Sequence, residues 1–409
     1  MGAAWLPLPA AAQPALTLAE VLRAARDNSD VAIARQSLAA ARADILAADH
    51  APAPQLIGKF SSIDLQNGIG PGNTFSNKRI DKSIGIDWTW ERGGKRAART
   101  TAAERSADAA QADLDDVQVQ QLVAAGGAFY DLLGAQEKVE EVAAIERSAV
   151  QLGATSARRV QAGDLAAQEA ARTEIEAQRS RVETRSAELE RERARLALTQ
   201  LLGPAGAARQ AVANPADWPA AAEVPPAADL DALIDTRADV RAAQARVAAA
   251  EASLNSAQAL RSADVTWGVS LDHFPGTSNR LLELRASLPL NWGYRFEGEI
   301  GRAQALLTQA QDQLAKTRLG AQLDFQRLRA EAETQARRLS VFDTDILTRA
   351  RKVAENAELA YRKGAMSLTD LLDARRTLRA TQLDAIAARV DHAKAALAWR
   401  LRTQPLSMP

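Results

Sequence analysis

Between Ile80 and Glu91 the chain alternates in character. Ile84, Ile86, Trp88 and Trp90 are apolar, and Ser83, Gly85, Asp87, Thr89 and Glu91 between them are polar or small. A period of two marks a strand whose faces meet different surroundings. After Gly93-Gly94 the pattern changes. From Arg96 to Leu152 there is no proline, and Ala, Glu, Gln, Arg and Leu dominate. These strong helix formers predict a helix of roughly 60 residues, about 90 Å long. The same succession recurs about 200 residues later. There Leu282, Leu284, Ala286, Leu288, Leu290 and Trp292 alternate with Leu281, Glu283, Arg285, Ser287, Pro289 and Asn291, and an Ala/Gln/Leu-rich run follows from Glu299. The chain reads as two copies of one unit.

Each copy predicts a helix, a hairpin, a long helix and a return helix. In the first, Thr17 and Glu20 form a capping box for a helix over 16–50, ended by Pro52 and Pro54. Strands over 55–66 and 80–91 enclose the glycine-rich loop 67–77. The long helix turns back at Gly163-Asp164, a left-handed C-cap followed by an N-cap. The return helix carries Ile175, Val182, Leu189 and Leu196 at strict seven-residue spacing, a coiled-coil seam in charged surroundings. In the second copy the elements are a helix over 230–261, strands over 264–272 and 280–292, a long helix over 297–362, a turn at residues 363–366 and a last helix to about Arg402. Leu371, Leu378 and Ala385 line its seam. The organisation expected is an N-terminal stretch 1–15, a first repeat 16–202 with its hairpin at 55–91, a proline-rich connector 203–228, and a second repeat 229–409 with its hairpin at 264–292. Trp218 argues that the connector is packed.

Composition narrows the function. Aromatics are only 4% of 409 residues, which suits extended helices packed side by side. Lys+Arg and Asp+Glu balance at 51 each, so nothing favours nucleic acid. The absence of cysteine excludes disulfides, thiolate metal sites, a cysteine nucleophile and a lipid on cysteine. His50, His273 and His392 are scattered without an i, i+4 partner, so neither a metal site nor another cofactor is expected. There is no nucleophile–base set, and no enzyme activity is expected. Residues 6–12 look like the end of a signal peptide, with Met1-Gly2 as a displaced start. No apolar run reaches the roughly 20 residues of a membrane helix, so a membrane crossing would use β-strands. Four strands of this length cannot close a barrel, and several protomers would have to share one.

The order and duplication of these motifs resemble the outer-membrane efflux protein family, the TolC-like channels. The resemblance runs from residues 16–36 through RRVQAGDLAAQEAAR (158–172) and AYRKGAMSLTDLLDARRTL (360–378), and WERGGKRAAR (90–99) is similar to the CzcC-type heavy-metal branch. It implies a mainly α protein with a small β part: a homotrimer sharing a twelve-stranded transmembrane barrel, four strands per protomer, on a long α-helical coiled-coil tunnel in the periplasm. It implies a gated passive exit duct working with a periplasmic adaptor and an inner-membrane pump, of RND type, in contact with outer-membrane lipid. Heavy-metal cations are one implied cargo, and organic drugs or solvents another. A soluble periplasmic coiled-coil or adaptor protein is the alternative. By the same resemblance Asp370 and Asp373 fall at the periplasmic gate, with Tyr361 and Glu169 tying neighbouring coiled coils. Gly163, Asp164, Gly364 and Met366 fall at turns that meet the adaptor, and Met366 stands where some relatives carry a gate-locking arginine. Trp88, Trp90, Trp267 and Trp292 are the membrane-interface aromatics.

Overall fold

The computed structural model describes residues 15–403, apart from 64, 69, 71–78, 204–211, 220–229 and 276. The expected N-terminal stretch and most of the proline-rich connector lie outside the described residues. In chain order the elements are α1 (Leu18–Ala25), α2 (Ser29–Ala48), β1 (Gln55–Ser61), β2 (Asp81–Trp90), α3 (Lys95–Gln161), α4 (Ala167–Leu202), α5 (Leu230–Ile234), α6 (Ala238–Ala259), β3 (Val265–Phe274), β4 (Ser278–Ser287), α7 (Glu297–Val341), a π-helical turn (Phe342–Ile346), α8 (Leu347–Arg362) and α9 (Leu368–Thr403). The chain divides into two compact units. One comprises Met1–Ala34, Leu114–Ala238 and Arg318–Pro409, and the other Arg35–Asp113 and Asp239–Thr317.

Three helices expected to be continuous are interrupted. The predicted helix 16–50 breaks at residues 26–28, because Asn28 starts a second helix by accepting from the Val31 N–H at 2.9 Å. Its amide also reaches Gln121 Oε1 at 2.7 Å. The predicted helix 230–261 breaks at the matching place, residues 235–237, where the guanidinium of Arg237 donates to Asp324 at 3.0 Å and lies 4.8 Å from the Phe325 ring centroid. The two restarts share the sequence Asp-Val, and Val31 and Val240 are both fully buried. In the long second helix, the π turn at Phe342–Ile346 separates α7 from α8. The capping box at Thr17 is present, with Thr17 N–H donating to Glu20 Oε2 at 2.9 Å and Glu20 N–H to Thr17 Oγ1 at 3.3 Å.

In the first unit the main core holds Val21, Leu122, Phe129, Leu132, Leu133, Leu198 and Leu397. A second cluster gathers Phe325, Leu328, Ala332 and Trp399. Close approach of α3 and α9 is set by glycine. A Cβ on Gly126 would lie 2.1 Å from Leu397 Cδ2, and one on Gly134 2.3 Å from Val390 Cγ2. The described part of the connector, residues 212–219, is packed. Leu16 pairs with Ala213 as a parallel bridge, Leu18 N–H donates to Asp217 at 2.8 Å, and Trp218 stacks on Tyr130 at 5.9 Å.

The second unit contains one antiparallel sheet in the order β1-β2-β3-β4, so the two hairpins meet at β2 and β3. The strands are shorter than expected at three ends: β1 stops at Ser61 and not 66, β4 stops at Ser287 and not 292, and β2 is trimmed by one residue at each end. Pro289 has no N–H to continue the ladder of β4. The WERGGKRAAR segment joins β2 to α3. Arg99 holds Glu91 at 2.8 Å and caps the carbonyls of Ala48 and His50, each at 2.9 Å. Lys95 pairs with Asp264 at 2.8 Å, and Arg96 with Asp49 at 3.0 Å. Gly93 has φ +69°, and a Cβ there would fall 2.1 Å from Ser262 Oγ.

Candidate functional site

The sheet is inside out by the standard of a water-soluble protein. On one face the register aligns Leu56, Ile86, Val269 and Leu284 in one row, Ile84, Leu271 and Leu282 in the next, and Trp88, Trp267 and Ala286 in a third. Nearly all of these apolar side chains are exposed, Leu56 and Leu284 at 74%. The opposite face is polar and more covered. There Thr89 lies 3.0 Å from Thr266, hydroxyl to hydroxyl, and Ser270 and Asp272 are buried. Arg285 reaches across Gly268 to pair with Asp87 at 2.7 Å. Gly268 makes that reach possible, because a Cβ there would sit 2.4 Å from Asp87 Oδ1.

An exposed contiguous apolar face marks a surface meant for something other than water. Trp88, Trp90 and Trp267 gather at the end of this face next to the helices, the arrangement of an aromatic girdle. Trp292 follows the last strand and is largely exposed. Ten residues of β2 span about 33 Å along the strand, and with a tilt near 45° they cover about the height of a bilayer's apolar band. The edge strands β1 and β4 each have a single neighbour in the sheet, so each carries an unmatched row of backbone donors and acceptors.

The helical hairpin turns form the second locus, and they are built alike. In the first, Asp164 N–H donates to Arg159 O at 2.8 Å and Gly163 N–H to Val160 O at 3.0 Å. In the second, Ala365 N–H donates to Ala360 O at 2.8 Å and Gly364 N–H to Tyr361 O at 3.0 Å. This is the 6→1 closure of a helix by a left-handed residue. Gly163 and Gly364 have φ of +80° and +72°, with open space around a would-be Cβ, so conformation alone requires glycine. Asp164 is exposed, while Met366 is half-buried against a cluster of Leu152, Ala357, Tyr361, Leu368, Leu371 and Leu372.

Among the expected gate residues, Asp370 and Asp373 are exposed in the first turns of α9. Asp370 completes a cap with Ser367: its N–H donates to Ser367 Oγ at 3.2 Å, and the hydroxyl donates back to its carboxylate at 2.7 Å. Tyr361 takes its hydrogen bond from Arg159 at 3.3 Å and lies under that guanidinium. Glu169 is half-buried at the start of α4, and the structure does not bring it to Tyr361. The ties of α9 come instead from residues that the sequence pattern did not single out. Arg376 pairs with Glu176 at 2.8 Å, Arg379 with Glu183 at 3.0 Å, Arg389 with Glu137 at 2.7 Å and Lys394 with Asp131 at 2.8 Å. Arg375 pairs with Glu358, and Arg172 donates to Thr369 at 3.1 Å. The partners are about 200 residues apart in the chain, and the only trace in sequence is the density of arginine in 375–379. These ion pairs flank a cavity of about 240 Å³ walled by Ile145, Leu152, Leu372 and Leu378. Among the described residues no group of three His, Cys, Asp or Glu side chains is placed to hold a metal.

A small four-stranded sheet with its apolar face outward, carried by helices as long as the 67-residue α3, is the fold of the TolC-like outer-membrane channels. Residues 21–204 match the family model described as outer membrane efflux protein, so the resemblance read from the motifs is borne out. The chain is 26% identical over 290 residues to the cobalt-zinc-cadmium resistance protein CzcC of Cupriavidus metallidurans, covering 70% of this chain and 68% of that one. In structure it superposes on a membrane protein from Pseudomonas aeruginosa with a TM-score of 0.81 at 18% identity, covering 94% of this chain and 90% of the other. It superposes on the CmeC outer membrane channel of Campylobacter jejuni with a TM-score of 0.79 at 14% identity, over 94% and 85%. Together these likenesses support an outer-membrane efflux channel.

Proposed function

We propose that the protein is the gated, passive outer-membrane exit duct of a tripartite exporter. The observation that carries this reading is the inverted sheet, with aliphatic and tryptophan side chains facing out and an ion-paired, hydroxylated face turned away. Lipid is the solvent that suits the first face, and a water-filled path suits the second. The two unpaired edges call for neighbours, and three copies of four strands make a closed barrel of twelve. The described helices contain no span long and apolar enough to cross a membrane, so the strands carry the crossing.

In this reading the hairpin turns at Gly163 and Gly364 sit at the periplasmic tip and meet an adaptor protein. Asp370 and Asp373, three copies of each, form an acidic aperture that admits cations. The pump in the inner membrane supplies the energy, and this chain supplies the path. Heavy-metal cations are the proposed cargo, on the likeness to a cobalt-zinc-cadmium resistance protein over most of the chain.

The test is conductance in planar bilayers. The purified protein should require detergent, migrate as a trimer and form cation-selective channels, and Asp370→Ala with Asp373→Ala should enlarge the conductance and reduce the selectivity. A water-soluble monomer without conductance would remove the duct. Cellular cobalt, zinc and cadmium should rise when the protein is lost. If metal content holds while dye export fails, the cargo is organic.

A further inference from the structure

Helix α4 carries Ile175, Val182, Leu189 and Leu196 at seven-residue spacing, and all four are more than half exposed. Its other face is already used, because Thr173, Ala177, Ser180, Ala187 and Leu198 are buried within the unit. Four aliphatic residues on one line of a heavily charged helix form half of a coiled-coil seam. The unit contains a second half. Val353, Ile346 and Val341 are exposed along α8 and the π turn, while Ala350, Ala354 and Ala357 of α8 face inward.

The two stripes correspond in level. Ile175, Val182 and Leu189 lie 12, 19 and 26 residues after Gly163, and Val353, Ile346 and Val341 lie 11, 18 and 23 residues before Gly364. The helices run in opposite directions from turns of the same construction. With the two turns set level, Ile175 faces Val353 and Val182 faces Ile346. Charge agrees at the same levels. Arg185, which has no ion-pair partner among the described residues, comes opposite Asp343 and Asp345, and Lys352 comes opposite Glu174.

We infer that the α4 stripe of one copy packs, antiparallel and in this register, against the α8 stripe of a second copy. The proposal rests on the trimeric duct and goes further by naming the seam that closes its helical part. A chain set level by its turns admits one register, because a slip of a single residue would turn the aliphatic line of α4 away from its counterpart.

The chain has no cysteine, so engineered pairs report without background. Val182→Cys combined with Ile346→Cys should yield a covalently linked trimer on oxidation, and so should Ile175→Cys with Val353→Cys. Either single variant, and the off-level pair Val182→Cys with Leu323→Cys, should stay unlinked while remaining trimeric by size. Trimers in which the level pairs fail to link, or link no better than the off-level pair, overturn the seam and leave the duct standing. Linkage of Val182→Cys to a co-expressed adaptor in place of Ile346→Cys overturns it as well. A protein that is not trimeric in detergent overturns the assembly itself.

Discussion

In the helical unit Phe129, Leu132 and Phe325 are shielded almost completely, whereas on the sheet Ile84, Ile86, Leu282 and Leu284 stand outward. The residue types are the same. Their placement relative to charge is reversed, since the helical unit turns its arginines and glutamates outward and the sheet turns Asp87, Arg285 and Asp272 to its covered side. Burial from water drives the first arrangement. The second is stable only where the surroundings are themselves apolar, which is why the sheet identifies the membrane and the helices do not.

Substitutions can break that contrast from either side. The largest effect should come from the helical core. Phe129→Ala removes a fully buried ring and should cost about 3–5 kcal/mol, read as loss of helical signal at lower temperature. Arg237→Ala leaves Asp324 without its inward partner and should cost about 3 kcal/mol in the same assay. On the sheet, Leu284→Arg should leave the helical melt unchanged and weaken membrane insertion by about 2–4 kcal/mol, measured as the fraction recovered in the outer-membrane pellet. If Leu284→Arg melts the helices or inserts normally, the two environments are not what the contrast claims. Gly134→Ala gains helix propensity of about 1 kcal/mol but meets the stiff Val390 side chain at 2.3 Å, so it should destabilise the α3–α9 contact.

The smallest effect is on pH. His392 is buried on α9 beside no resolved cation or anion, and burial alone holds its pKa below the usual histidine value. The unfolded chain therefore takes up the proton first, so stability is constant above about pH 6.5 and falls as pH drops through it. His392→Leu should flatten that fall in thermal melts between pH 7.5 and 5, and an unchanged slope would remove His392 as the cause.

Much of this fold was legible along the chain, for reasons that are physical. The two-residue period of Ile84 to Trp90 found β2, and the proline-free alanine-rich runs found α3, α4 and α9. The glycines at 163 and 364 found turns whose left-handed φ no other residue adopts cheaply. The breaks at residues 26–28 and 235–237 were hidden because good helix formers surround them, and the decisive contacts, Asn28 with Gln121 and Arg237 with Asp324, join residues 93 and 87 apart. The π turn at Phe342–Ile346 leaves no mark in composition. Periodicity also could not say which face of the sheet looks out, since alternation is identical for both choices. The ion pairs of α9 were unreadable for a similar reason. A run such as Arg375, Arg376 and Arg379 looks like a solvated face until Glu358, Glu176 and Glu183 are seen against it.

The central claim concerns what touches the outward face of the sheet, and tryptophan reports it directly. In vesicles of brominated lipid, variants retaining one tryptophan each should divide: Trp88 and Trp267 quenched strongly, and Trp218 and Trp399 of the helical unit emitting as in ordinary lipid. If Trp88 and Trp267 are quenched no more than Trp399, the face does not meet lipid and the outer-membrane duct is contradicted.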